Sequence, residues 1–184
     1  MGLAAGFIIH ILYALILSYQ NLRARGNNRY AVKVRQKGVS WASLNMLVLG
    51  IIILGFMGLH LFQFWSKMQL IELMHNMGAA TDAQLTALAA KGSHWVQYYF
   101  GQPIYSVLYI VWLSALWFHL THGVWSMLHT LGINNQTWLP RLKTFSYILA
   151  TIIILLFMAV PICGLLKAGP LFSPESMYNP FLNI

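Results

Sequence analysis

What this chain lacks most is charge. Only 8% of its 184 residues are Asp, Glu, Lys or Arg, where soluble domains carry roughly a quarter. Acidic side chains are the scarcest: Glu72, Asp82 and Glu175 are all there are, and none lies inside an apolar run. Cation pathways through membranes are built from intramembrane acids, so their absence weighs against a cation channel or transporter. Cysteine is nearly absent too. Cys163 stands alone inside an apolar run, which excludes an intrachain disulfide and any CxxC-type metal set.

What is present is hydrophobic surface. Apolar residues make up 59% of the chain and the mean hydropathy is +0.65, more than a core of this size would use. Four stretches are long enough to cross a bilayer, for which roughly 20 apolar residues suffice. They are 2–20, 41–65, 103–131 and 145–166. Ser40 suits an N-cap for the second. Pro103 and Gly132 bracket the third as a helix start and stop, and Pro161 predicts a kink near the end of the fourth. The expectation is an all-α integral membrane helical bundle, a single membrane domain over 1–184 with four transmembrane helices. No repeat or low-complexity tract interrupts it. No cleavable signal peptide is expected, because Met1 runs straight into an apolar segment without a basic stretch.

The net charge of +8 is distributed as topology requires. Six of eleven basic residues (Arg23, Arg25, Arg29, Lys33, Arg35 and Lys37) fall in the first connection, 21–40, and Arg141 and Lys143 fall in the third. By the positive-inside rule both connections are cytoplasmic and both chain ends lie outside. That distribution argues against nucleic acid as the partner of the basic residues. Tyr19, Trp41, Trp65, Tyr98, Tyr99, Trp138 and Tyr147 stand near span ends, as an interfacial belt would. The outer connection, 66–101, is long. Thr81-Asp82-Ala83-Gln84 resembles a capping box and predicts a short surface helix over 82–91.

Seven histidines then need an account, since ionisable residues inside a membrane are functional candidates by default. His10 precedes Arg23 by thirteen residues and His119 precedes Gly132 by thirteen. Both spans run inward, so both imidazoles sit roughly 20 Å from the cytoplasmic edge at about 1.5 Å per residue. Two histidines at one depth on separate helices can hold one object between them. His60, five residues before Trp65, lies nearer the outer face. Zinc usually takes four ligands, and no Cys, Asp or Glu stands nearby to complete a set. A haem needs two axial ligands and an apolar slot, and bis-imidazole ligation suits an electron carrier. Without CxxCH it would be haem b.

Glycines flank these positions: Gly6 before His10, Gly123 after His119, and Gly55 and Gly58 before His60. They read equally well as clearance for a flat ring or as helix–helix packing positions. His122 is one turn from His119 but about 60° round the helix, so both cannot face one iron. It reads as a propionate or quinone neighbour or as a packing residue. His129 falls at the cytoplasmic interface, and His75 and His94 are expected to be solvated.

The order of three segments carries a resemblance. An apolar run with His10 leading into RARGNN, then GFMGLHLFQFW, then FHLTHGVWSMLHTLG, together resemble the membrane-anchor cytochrome b subunit of succinate dehydrogenase and fumarate reductase. The form with one anchor polypeptide and two haems is the most similar, over about Phe7 to Leu166. The resemblance implies that His10, His60 and His119 are axial ligands of haem iron, with His10 and His119 on the haem nearer the cytoplasm. It places His122 where the motif has no ligand. It also implies flavoprotein and iron–sulfur subunits as partners, quinone (menaquinone) as substrate, and the bacterial inner membrane as location. The basic 21–40 connection then either touches the iron–sulfur subunit or records topology alone. Tyrosines, Trp125 and Ser126 are quinone candidates by polarity only. The family's first helix, which supplies the partner of His60, has no counterpart in this sequence. Either an N-terminal piece is missing or the second haem is lost or differently ligated, and the retention of His60 favours the first. Two other readings stay open: a bis-histidine cytochrome subunit of another membrane dehydrogenase, and a haem-free scaffold or transporter.

Overall fold

The computed structural model describes residues 2–26, 39–79, 82–133, 135–169 and 172. Among them all regular structure is helical. The chain divides into two compact units, Met1–Val48 and Leu49–Ile184.

The first unit contains α1 (Gly2–Arg25) and α2 (Trp41–Leu44). α1 runs past the expected end at 20, because Leu22, Arg23 and Arg25 still favour helix. Arg23 and Arg25 lie in its last turn, where cations offset the negative end of the helix dipole. Gly26 then closes it at φ 59°, its N–H reaching the carbonyls of Leu22 and Arg23, the left-handed stop glycine adopts without a Cβ penalty. Arg29, Lys33, Arg35 and Lys37 of the basic connection lie outside the described residues. Ser40 caps α2 as expected, accepting from the Ser43 N–H at 3.1 Å. The helix expected to be continuous over 41–65 is nevertheless broken at Asn45. Its side chain donates to the Trp41 carbonyl at 2.8 Å, competing with the backbone ladder.

Helix resumes as α3 (Met46–His60) and continues into a π-helical segment, Leu61–Trp65. The 66–101 connection holds three helices where one was expected: α4 (Gln69–Asn76), α5 (Ala83–Ala89) and α6 (Gly92–Phe100). The cap of α5 is Asp82, which accepts from the N–H groups of Gln84 (2.7 Å) and Leu85 (3.1 Å). Thr81, first residue of the proposed capping box, lies outside the described residues. α6 was missed because Gly92, Ser93 and His94 read as loop. Trp95 anchors it instead, buried and donating through Nε1 to the Leu88 carbonyl at 3.1 Å.

α7 (Pro103–Thr130) and α8 (Trp138–Leu166) form the main packed pair of the second unit. Gly132, at φ 91°, ends α7 as expected. α8 begins seven residues before the expected 145. Asn135 accepts from the Trp138 N–H at 2.7 Å, and Pro140 sits in the first turn, where its missing N–H costs nothing. Arg141 and Lys143 read as loop residues because they are charged. On the helix they lie over aromatic faces, Arg141 above Trp138 and Lys143 4.2 Å from the Trp125 ring, as cationic ends do at a membrane interface. Pro161 lies inside α8 and is buried.

Both α7 and α8 bury small side chains. Ser106, Ala115 and Thr121 are buried on one helix, and Ser146, Ala150 and Gly164 on the other. That is the usual composition of membrane helix contacts. Trp117 Nε1 donates across them to Thr151 Oγ1 at 2.9 Å. The opposite face of α8 is bare hydrocarbon, with Leu156 70% exposed. α1, Met46–Trp65, α7 and α8 are each long and apolar enough to cross a membrane. The chain is a multi-pass, all-α membrane protein.

Candidate functional site

Helices α3 and α7 run antiparallel, and two groups of side chains occupy the space between them at different levels. At the level of His60 the π-helical turn buries Gln63. It is 2% exposed in an otherwise apolar segment. An amide buried among hydrocarbons needs a partner, and it accepts a 2.8 Å hydrogen bond from the Tyr109 hydroxyl. The same hydroxyl oxygen lies 3.4 Å from His60 Nδ1. Rings close around the imidazole: Phe64 at 5.0 Å, Trp112 at 5.8 Å and Tyr109 at 6.1 Å between centroids. His60 remains exposed on its other side.

At the inner level His119 stands on α7 with its Cε1 3.8 Å from where a Cβ on Gly50 of α3 would be. Gly50 precedes His60 by ten residues, so the two imidazoles are separated by about 15 Å along the helix axis. Below His119, His122 packs edge-on against Trp125 at 5.1 Å. Its Nδ1 is buried without a hydrogen-bond partner among the described residues. His10 lies on α1, where no residue is buried.

The flanking glycines are informative in the second unit. A methyl group on Gly55, Gly58 or Gly123 would meet no atom within 4 Å. They are therefore not crossing points of helices within that unit. Gly123, one turn after His119, leaves that side of α7 open. Gly6, on α1, likewise has no neighbour at its Cβ. Among the described residues no three His, Cys, Asp or Glu side chains gather as an all-protein metal site would need.

Outside the spans two titratable groups are perturbed. His94, expected to be solvated, is partly buried against Trp95 at 5.4 Å. Burial lowers its pKa, and the nearby Lys91 charge lowers it further. Tyr99 is raised, first by burial and then by Tyr98 and Tyr105. His75 and His129 are exposed, each in the last turn of its helix.

Sequence reasoning missed Gln63, Tyr109, Trp112 and Gly50. A signal for Gln63 existed: beside His60 it is the one other strongly polar side chain between Met46 and Trp65. No comparable signal marks Tyr109, which reads as one of several aromatic residues in α7.

The fold defines a class, a multi-pass all-α membrane protein with histidines on its apolar helices. Comparison with known proteins goes no further: no family model, no curated protein and no solved structure matches the chain.

Proposed function

We propose that this chain is the haem b-containing membrane anchor of a succinate:quinone oxidoreductase, in a bacterial inner membrane. The observation that carries this reading is the placement of His119 and His60 at two levels of α3 and α7, His119 beside Gly50 and His60 beside Tyr109. His10 and His119 would hold the haem nearer the cytoplasm, and His60 would be one ligand of the outer haem. The haem iron supplies reversible one-electron transfer at a potential set by its ligands and their surroundings. The chain's residues hold the imidazoles apart in depth, pack aromatic rings against His60, and present apolar outer faces to lipid. Flavoprotein and iron–sulfur subunits would dock on the cytoplasmic side, and menaquinone would be the electron partner in the membrane. His122, beside Trp125 and Lys143, stays a neighbour of the inner haem in this reading.

A reduced-minus-oxidised spectrum of the membrane complex tests it. A b-type band reducible by succinate is expected. A complex with no such band would rule the reading out, and a band that succinate cannot reduce would point to a different dehydrogenase.

A further inference from the structure

We propose that Tyr109 and Gln63 act as positioning residues for His60, fixing its proton on Nδ1 and leaving the Nε2 lone pair free to bind. For its functional consequence this rests on the reading of His60 as a haem ligand.

A tyrosine has one O–H to give. Tyr109 donates it to Gln63 Oε1 at 2.8 Å, well inside the ordinary range for such a bond. Toward His60 Nδ1, at 3.4 Å, the hydroxyl then has only lone pairs to offer. A neutral imidazole facing an acceptor presents its N–H. Nδ1 therefore carries the proton and Nε2 the lone pair. Free imidazole side chains mostly hold the opposite arrangement, with the proton on Nε2, so the pair reverses the default.

The local backbone makes this possible. The π-helical turn at Leu61–Trp65 places Gln63 inward on the same side as His60, and π-bulges recur at functional sites. Gln63 and Tyr109 are 2% and 3% exposed, so water does not compete for the bond between them. A hydrogen-bonded N–H opposite the ligating nitrogen also makes the imidazole a stronger donor to a metal. A buried Gln–Tyr pair that only satisfied itself would have no effect on His60.

The test compares wild type with four variants, each labelled with nitrogen-15 histidine as the full chain in nanodiscs at about pH 8, where histidine is neutral. The His60 signal is identified by its loss in His60→Asn. Wild type is expected to carry the proton on Nδ1. Tyr109→Phe removes the acceptor and should return the proton to Nε2. Gln63→Leu frees the Tyr109 hydroxyl to donate into Nδ1, which also drives the proton to Nε2. Gln63→Glu keeps an acceptor oxygen and should preserve the wild-type pattern, a rescue that a purely structural role does not predict. A wild-type His60 protonated on Nε2 would overturn the proposal, as would an Nδ1 proton that survives both Tyr109→Phe and Gln63→Leu.

In the assembled membrane complex, Tyr109→Phe should weaken retention of the outer haem roughly tenfold and raise its midpoint potential, leaving the inner haem unchanged. An unaltered potential in a variant that still binds the haem would also overturn the proposal. If wild-type complex contains no b-type haem, the functional reading fails, and the nitrogen-15 measurement still decides the role of Tyr109 and Gln63.

Discussion

His119 faces Gly50 across α7 and α3, its Cε1 3.8 Å from the point a methyl group there would occupy. That spacing is ordinary van der Waals contact, so Gly50→Ala should fit. It should also firm up α3, since alanine is favoured over glycine in a helix interior by up to about 1 kcal/mol. Gly50→Leu cannot fit without turning the imidazole aside. Under the proposed haem reading the expected outcome is wild-type haem content in the alanine variant and loss of the inner haem alone in the leucine variant, read by pyridine haemochrome assay. Equal haem content in both would separate Gly50 from the site.

The histidines should divide by level. His119→Ala is expected to remove one haem, and His60→Ala only the outer one, because about 15 Å of helix separates them. His122→Ala should leave both bound. Its ring leans on Trp125, within reach of the Lys143 that covers the same indole. Haem count and spectrum of each purified complex check the series. Loss of both haems from His122→Ala alone would reverse the ligand assignment.

Close packing concentrates at Gly164, where α8 passes the end of α6. A Cβ there would fall 2.8 Å from Phe100 Cβ and 2.9 Å from its carbonyl carbon. The Phe100 carbonyl is itself held by Ser106 Oγ at 2.8 Å, so it cannot move away freely. Gly164→Ala should therefore destabilise the second unit by about 1–3 kcal/mol, the usual cost of overpacking. Ser106→Ala should cost about 1–3 kcal/mol by stranding a buried acceptor. Unfolding in mixed micelles measures both, and a neutral Gly164→Ala would show that α6 and α8 can separate there.

The four spans were legible because lipid imposes one simple requirement, a run of apolar residues about 20 long. Caps that use side chains were legible too: Ser40 and Gly132 act where expected. Legibility failed where tertiary partners decide. Asn45 breaks a helix through a bond to Trp41, and Arg141 and Lys143 join one because Trp138 and Trp125 receive their charges. At the site, the different levels of His60 and His119 followed from counting residues. Gln63 and Tyr109 could not be paired that way. They lie 46 residues apart, and the inward turn of Gln63 depends on a π-helical register that hydropathy does not record.

The cap of α5 gives a local prediction. Asp82 satisfies two N–H groups at the helix start, and its negative charge also suits the positive end of the dipole. Asp82→Ala should cost about 1 kcal/mol. Because α5 is short, the loss should show as faster hydrogen exchange over Ala83–Ala89, with α7 and α8 unaffected. Unchanged exchange in that helix would mean that packing against its neighbours, rather than the cap, holds it.

His94 makes stability of the outer helices depend on pH, and the sign is fixed by its surroundings. Burial, then the Lys91 charge, lower its pKa below the ordinary 6.5. The unfolded segment therefore takes up a proton before the folded one does. Stability is greatest above about pH 6.5 and falls as the pH drops from there through the lowered value. Lys91→Gln should bring the pKa partway back, because burial, the larger cause, persists. His94→Gln should flatten the pH dependence of melting between pH 5 and 7 without lowering stability at the alkaline end by more than a lost ring contact, about 1 kcal/mol. The ring titration, followed by nuclear magnetic resonance in wild type and Lys91→Gln, checks the order of causes. A wild-type midpoint at or above 6.5 would contradict the assignment, because a buried imidazole beside an ammonium group cannot be easier to protonate than a free one.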